Sequence, residues 1–166
     1  MFKTILVPTD KSQHAQKALE FACDLAKLYG SKLVMIHVLE QVRDTKALKR
    51  LGKGKPADES DMPDLMAGMA SVGMNAESIQ QMVDNVEKTI FVPARQMAAD
   101  KGVGEIETLI KGGDAAKRIL KCAKKVDADL IVIGSRGLGN IKGAFLGSVS
   151  DKVSRKAKGS CVTIRS

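Results

Sequence analysis

Five short apolar runs rich in β-branched residues, separated by stretches with helical periodicity, constrain this chain more than any other feature. The first, KTILVP at 3–8, is apolar almost without interruption, which predicts a strand buried on both faces of its sheet. From Ser12, which reads as an N-cap, to Gly30, which reads as a C-terminal stop, Ala15, Ala18, Leu19, Ala22, Leu25, Ala26 and Tyr29 form one apolar stripe. Strands then follow at 32–40, 105–111, 129–134 and 160–165, and helices at 77–102, 114–127 and 147–159. Pro93 is expected to kink or split the helix at 77–102. The order βαβαβαβαβ implies an α/β fold, with a mainly parallel sheet and helices on both faces.

A length of 166 residues suits one domain with an ordinary core, so a single domain over 1–166 is expected. Cys23, Cys122 and Cys161 are odd in number, far apart and without a C-x-x-C pair, which argues against a disulfide framework or a zinc site. A reducing, cytoplasmic location fits that usage. The opening MFKTILVPTD has one cation and an apolar run broken by Pro8 and Asp10, so it reads as neither a secretory signal nor a membrane span. No membrane insertion is expected. The net charge of +8 suits an anionic partner but bears on solubility and steering rather than on fold.

One stretch, 41–76, breaks the rhythm. A connection of that length inside a compact domain is a lid, a partner-binding loop or a disordered excursion. Its cations, Lys46, Lys49, Arg50, Lys53 and Lys55, have no aromatics among them, so a solvated loop is favoured over a nucleic-acid site. Met62, Met66 and Met69 recur at i, i+4 and i+7, with Met74 beyond, a spacing that suits a packing face better than a Cu(I) site.

The most informative loop is GSRGLGNIKGAFLGSVS at 134–150. Its five glycines, three serines and two cations stand without a carboxylate, a composition suited to an anion. The dinucleotide fingerprint fails at Lys142, where a third glycine is needed, and a Walker A loop fails at Asn140 and Ile141. What remains is Gly134-x2-Gly137-x9-Gly147-Ser148, running from a strand end to a helix start. Glycines admit backbone N–H groups close to an anion, and a helix N-terminus adds unpaired N–H groups and its positive dipole end. Ser148 and Ser150 offer hydroxyls, and Arg136 and Lys142 offer charge.

That spacing resembles the universal stress protein family, in the branch whose G-2x-G-9x-G-[S/T] motif marks ATP binding. ILVPTD is similar to the family's first strand with its terminal aspartate, HVL to its second strand end, and GSVSDKVSRKAK to its fourth helix. The resemblance implies a Rossmann-like five-stranded parallel sheet of order 3-2-1-4-5, commonly in a homodimer paired through the last strands. In that order the crevice outside the strand ends lies between the first and fourth strands, where Asp10 and Gly134 would meet. By resemblance, Pro8, Thr9 and Asp10 belong to the nucleotide site, with Asp10 on the ribose hydroxyls. The Val38 backbone would meet the adenine edge and Ile133 the base. Gly134, Ser135, Arg136, Gly137, Gly147, Ser148, Val149 and Ser150 would form the phosphate loop, with ATP and Mg²⁺ as the implied ligands. No protein metal ligand and no catalytic residue is assigned. The family's last strand often opens with Pro-Val, where this chain has Cys161-Val162.

Simpler readings stand beside these. Asp10 and Ser148 are both suited to capping the helices that follow them. His14, near a helix start, and His37, inside a strand, read as hydrogen-bonded structural histidines. Cys23 and Cys122 read as packing residues. The functional expectation is an ATP-binding stress-response or regulatory module, with an unidentified protein partner, that binds rather than turns over rapidly. A slow ATP-hydrolysing or adenylate-cleaving enzyme and a nucleotide-free dimeric interaction module are the alternatives, and nucleic-acid binding comes last.

Overall fold

The computed structural model describes residues 2–39, 73, 75–137 and 146–165. The readings placed on residues 41–72, on Met74 and on Lys142 lie outside the described residues. Five strands, β1 (Thr4–Pro8), β2 (Lys32–Leu39), β3 (Ile106–Gly112), β4 (Leu130–Gly134) and β5 (Ser160–Ile164), form one sheet of order β3-β2-β1-β4-β5. Every neighbouring pair is parallel, with Leu6 opposite Val34 on one side and Ile131 on the other. The order therefore reverses between β1 and β4, as expected.

Alternation along the strands sorts the core into two layers. Ile5, Val7, Leu33, Met35, Leu130 and Val132 face one side, covered by α1 (Gln13–Tyr29), α2 (Ala76–Val86) and α3 (Val92–Asp100). Leu6, Val34, Ile36, Ile131 and Ile133 face the other, covered by α4 (Ala115–Lys125) and α5 (Ser148–Lys156). Ile5, Leu6 and Val7 are wholly buried, which accounts for the unbroken apolar run. Cys23 and Cys122 are packed in these layers, and burial pushes both thiols up to about 11.

Helix ends follow local chemistry. Ser12 caps α1 by accepting the Ala15 N–H at 3.2 Å, and Gly30 closes it at φ +64°. Asp129 fastens the start of β1, its Oδ2 accepting the backbone N–H groups of Lys3 at 2.7 Å and Thr4 at 3.0 Å.

The expected break at Pro93 takes another form. The chain stays helical from Ala76 to Asp100, with a five-residue π turn, Glu87–Phe91, inserted between α2 and α3. Pro93 has no N–H for the carbonyl four residues back, and its ring would strike that carbonyl. Widening the turn, so that the Val92 N–H reaches Glu87 O, relieves both and buries Ile90 and Phe91 side by side. The fourth helix of the sequence reading also ends early, at Lys156, because Ala157 turns to extended backbone. Gly159 then passes so close to β4 that a Cβ would stand 3.0 Å from Asp129 O.

Candidate functional site

A cleft of about 850 Å³ opens over the carboxyl ends of β1, β2 and β4, where the strand order reverses. The turn after β1 forms one lip. Thr9 is pinned to β2 from both sides of its peptide: its N–H donates to Ile36 O, and its carbonyl accepts the His37 Nδ1–H, each at 2.8 Å. His37 is thus a hydrogen-bonded histidine, as read. Asp10 does not cap α1, a role Ser12 fills; its Oδ1 accepts the Ser12 N–H at 2.8 Å and fixes the turn. Its Oδ2 faces Gly137, where an added Cβ would lie 2.8 Å away. The two segments, more than a hundred residues apart, close on one another here because position 137 has no side chain.

The loop after β4 forms the second lip. Gly134 is needed for packing: a Cβ there would lie 2.7 Å from the His14 carbonyl carbon and 2.9 Å from the Ala15 nitrogen, both backbone atoms of α1. Ser135 is buried behind the cleft rather than lining it. Its N–H donates to Ile164 O and its carbonyl accepts the Gly147 N–H, both at 2.7 Å, while its Oγ lies 3.1 Å from His14 Nδ1. Ser150 also turns inward, its hydroxyl donating to Ser135 O at 2.8 Å with Gly147 O at 2.9 Å. Its single proton is committed to the loop, so the hydroxyl expected for an anion pins the backbone instead. Ser12 Oγ adds a longer bond, 3.4 Å, to Arg136 O.

Helix α5 supplies the third element. Its N-cap is Gly147, in extended backbone, and no side chain caps it. The N–H groups of Ser148, Val149 and Ser150 therefore have no partner within the helix, and Ser148, exposed at the first helical position, does not cap it. A Cβ at Gly147 would meet Ser135 O at 3.3 Å and Arg136 Cα at 3.5 Å, so this glycine serves the close approach of the loop to itself.

The cleft is amphipathic. Ile36, Val38, Ile133 and Val149, with Ala115 and Ile119 of α4, give one half an apolar lining continuous with the core beneath it. Lys11 and Arg136 bring charge, and Asp10 is the single carboxylate among the described lining residues. Of the residues that the resemblance assigns to the nucleotide site, all but Ser135 line this cleft. Those passed over include Lys11, Ile36, Leu39, Ala115, Ile119, Leu146 and the face of α2 and its π turn that carries Met82, Asn85, Val86, Thr89 and Ile90. That face recurs at helical spacing, so its side was legible and its nearness to the cleft was not. Among the described residues no helix is long and apolar enough to cross a membrane.

Comparison with known proteins agrees with this architecture. A family model described as the universal stress protein family matches residues 1–165. A universal stress protein of Thermus aquaticus, described as lying in the QAH/OAS sulfhydrylase 3′ region, is 35% identical over 157 residues, covering 95% of this chain and 94% of its own. Among solved structures, universal stress protein UspA from Lactobacillus plantarum superposes with a TM-score of 0.71 at 23% identity, covering 98% of this chain and 97% of its own. The universal stress protein from Archaeoglobus fulgidus in complex with dAMP does so with a TM-score of 0.61 at 23% identity, covering 98% and 97%. A model match over nearly the whole length and a relative this similar over nearly all of both chains have one meaning: the chain belongs to the universal stress protein family.

Proposed function

We propose that the cleft binds an adenine nucleotide, ATP with Mg²⁺, and that the protein acts as a nucleotide-dependent stress-response module that binds rather than turns over. The observation that carries this reading is the meeting of Asp10 with Gly137 beside the uncapped start of α5. A carboxylate suited to hydroxyls stands next to backbone N–H groups suited to phosphate, at the crevice where α/β sheets take ligands. A volume of about 850 Å³ is ample for a nucleotide. The dAMP complex of the Archaeoglobus fulgidus relative agrees with an adenine ligand.

Asp10 would accept from the ribose hydroxyls, Val38 and Ile133 would bracket the base, and the N–H groups of Ser148 and Val149 would take the phosphates. The Ser148 hydroxyl, Arg136 and Lys11 would add donors and charge. Ser135 and Ser150 would hold the loop in shape from behind. A divalent ion bound with the nucleotide would neutralise phosphate charge, and the residues present suit one that keeps most of its waters, since Asp10 is the single described carboxylate nearby. Hydrolysis needs a group that orients a water. Asp10 Oδ1 already holds the Ser12 N–H and His37 Nδ1 already holds Thr9 O, which favours binding. A homodimer and a downstream protein partner complete the proposed role.

Calorimetric titration of nucleotide-stripped protein with Mg-ATP tests it. Saturable binding near one ATP per chain is expected, lost in Gly137→Val, whose side chain must displace the Asp10 carboxylate. Absence of binding by folded wild-type protein would overturn the reading, and steady ADP release over many turnovers would replace it with the enzymatic one.

A further inference from the structure

The π turn decides which side chains α2 presents to the cleft. Such a turn holds one residue more than an α turn, so it rotates the helix before it by about 100° against the helix after it. Ala94 and Ala98 fix α3 against the core. In an uninterrupted helix Glu87 would stand about 20° from Ala94, and Asn85 about 180° away, pointing outward. With the extra residue, Val86 takes the core direction and Asn85 comes to about 80° from Ala94. Burial follows that phase: Val86 is 4% exposed, Glu87 lies outside the core in an ion pair with Arg95, and Asn85 lines the cleft. The π turn that relieves Pro93 thus aims Asn85.

This bank stands beside the end of β2. Leu39, the residue after Val38, shares a buried layer with Val86 and Ile90, and all three line the cleft. Met82, Val86 and Ile90 make the bank apolar, with Asn85 and Thr89 as its polar side chains. The Thr89 hydroxyl donates to Asn85 O at 2.7 Å, so its proton is committed to the helix. The Asn85 side-chain amide has no such bond among the described residues, and it is exposed to the cleft.

We propose that Asn85 is a specificity-determining residue of the cleft, reading the N6/N7 edge of the base with its amide; this rests on the reading that the cleft takes an adenine nucleotide. A primary amide offers a donor and an acceptor side by side. Adenine presents the complementary pair twice, as N6–H with N1 and as N6–H with N7. With the Val38 backbone on the N1 edge, the N7 edge remains for Asn85. Guanine presents two acceptors there, O6 and N7, so the amide carbonyl would face a lone pair.

The test is calorimetric titration of wild type and Asn85→Ala with Mg-ATP, Mg-GTP and the magnesium complex of 7-deaza-ATP, which lacks the N7 acceptor. Position 85 is exposed, so the variant keeps its fold, checked by circular dichroism. Wild type should bind 7-deaza-ATP about fivefold more weakly than ATP, and GTP about tenfold more weakly. Asn85→Ala should bind ATP and 7-deaza-ATP alike, both near the weaker affinity, and its preference for ATP over GTP should narrow. Wild type that binds ATP and 7-deaza-ATP equally would overturn the proposal while leaving the nucleotide site in place. So would Asn85→Ala that keeps the wild-type penalty for the missing N7. Wild type that binds none of the three would overturn the underlying reading of the cleft, and this proposal with it.

Discussion

Gly134→Ala adds one methyl group at a point where the structure has none to spare. The new Cβ would stand 2.7 Å from the His14 carbonyl carbon and 2.9 Å from both the Ala15 nitrogen and the His14 Cβ, and two of those atoms are helix backbone. Ordinary carbon contacts lie near ~3.5–4.0 Å, so the start of α1 or the end of β4 must retreat by about an ångström. Neither end moves easily. The helix start is tied by Ser12 and Asp10, and Gly134 pairs with Ile164 of β5. Overpacking of this kind costs about 1–3 kcal/mol. With a melting entropy of about 2.1 cal/mol/K per residue, or roughly 0.35 kcal/mol/K over 166 residues, Tm should fall by about 3–9 °C. Gly104→Ala is the control, since a Cβ there meets nothing within 4 Å and φ is ordinary. It should match the wild type or gain about 0.4–1 kcal/mol through loss of unfolded-chain freedom. Thermal melts of the two variants decide the matter. Gly134→Ala melting within about 1 °C of wild type would refute the claim that β4 ends against the backbone of α1.

Two further outcomes follow from the same geometry. Ser150→Ala removes the hydroxyl bonds to Ser135 O and Gly147 O, and should cost about 1 kcal/mol, or about 3 °C in Tm. It should also weaken Mg-ATP binding, because the ligand must then order a loop that the serine no longer holds; unchanged affinity by calorimetry would deny it that role. Asp129→Asn tests the fastening of β1. The Thr4 and Lys3 N–H groups hold the Asp129 carboxyl below its ordinary value of 3.8, so its stabilisation is fully present above that value and fades as pH falls through the lower folded one. The Tm difference between wild type and Asp129→Asn should therefore be constant at neutral pH and shrink in acid below about 4. A difference that grows in acid would show that some other group is responsible.

How far the sequence discloses this molecule depends on whether a residue acts through its own chain neighbours or through distant ones. Strand β1 was legible because burial on both faces demands apolar residues at every position, and that demand is written in consecutive letters. Ser12 and Gly30 were legible because caps act within a few residues of themselves. At Pro93 the sequence marks the disturbance but not its form, since a kink and a π turn both relieve the same missing N–H. The cleft is harder still. The glycine spacing after β4 signals a backbone that approaches something closely, yet it does not say what. Gly134 approaches α1, Gly137 approaches Asp10, and Gly147 approaches Ser135 O, three partners in three different places. Ser148 and Ser150 look alike in the sequence, but one is exposed at the helix start and the other is buried with its proton spent on the loop. A motif of this kind therefore mixes positions that would touch a ligand with positions that build the surface for it. Only the direction of each missing or present side chain separates them. By that criterion Gly137 and Ser148 are the two loop positions at which substitution should change nucleotide affinity most directly, whereas Gly134, Ser135 and Ser150 should act first on the stability of the loop.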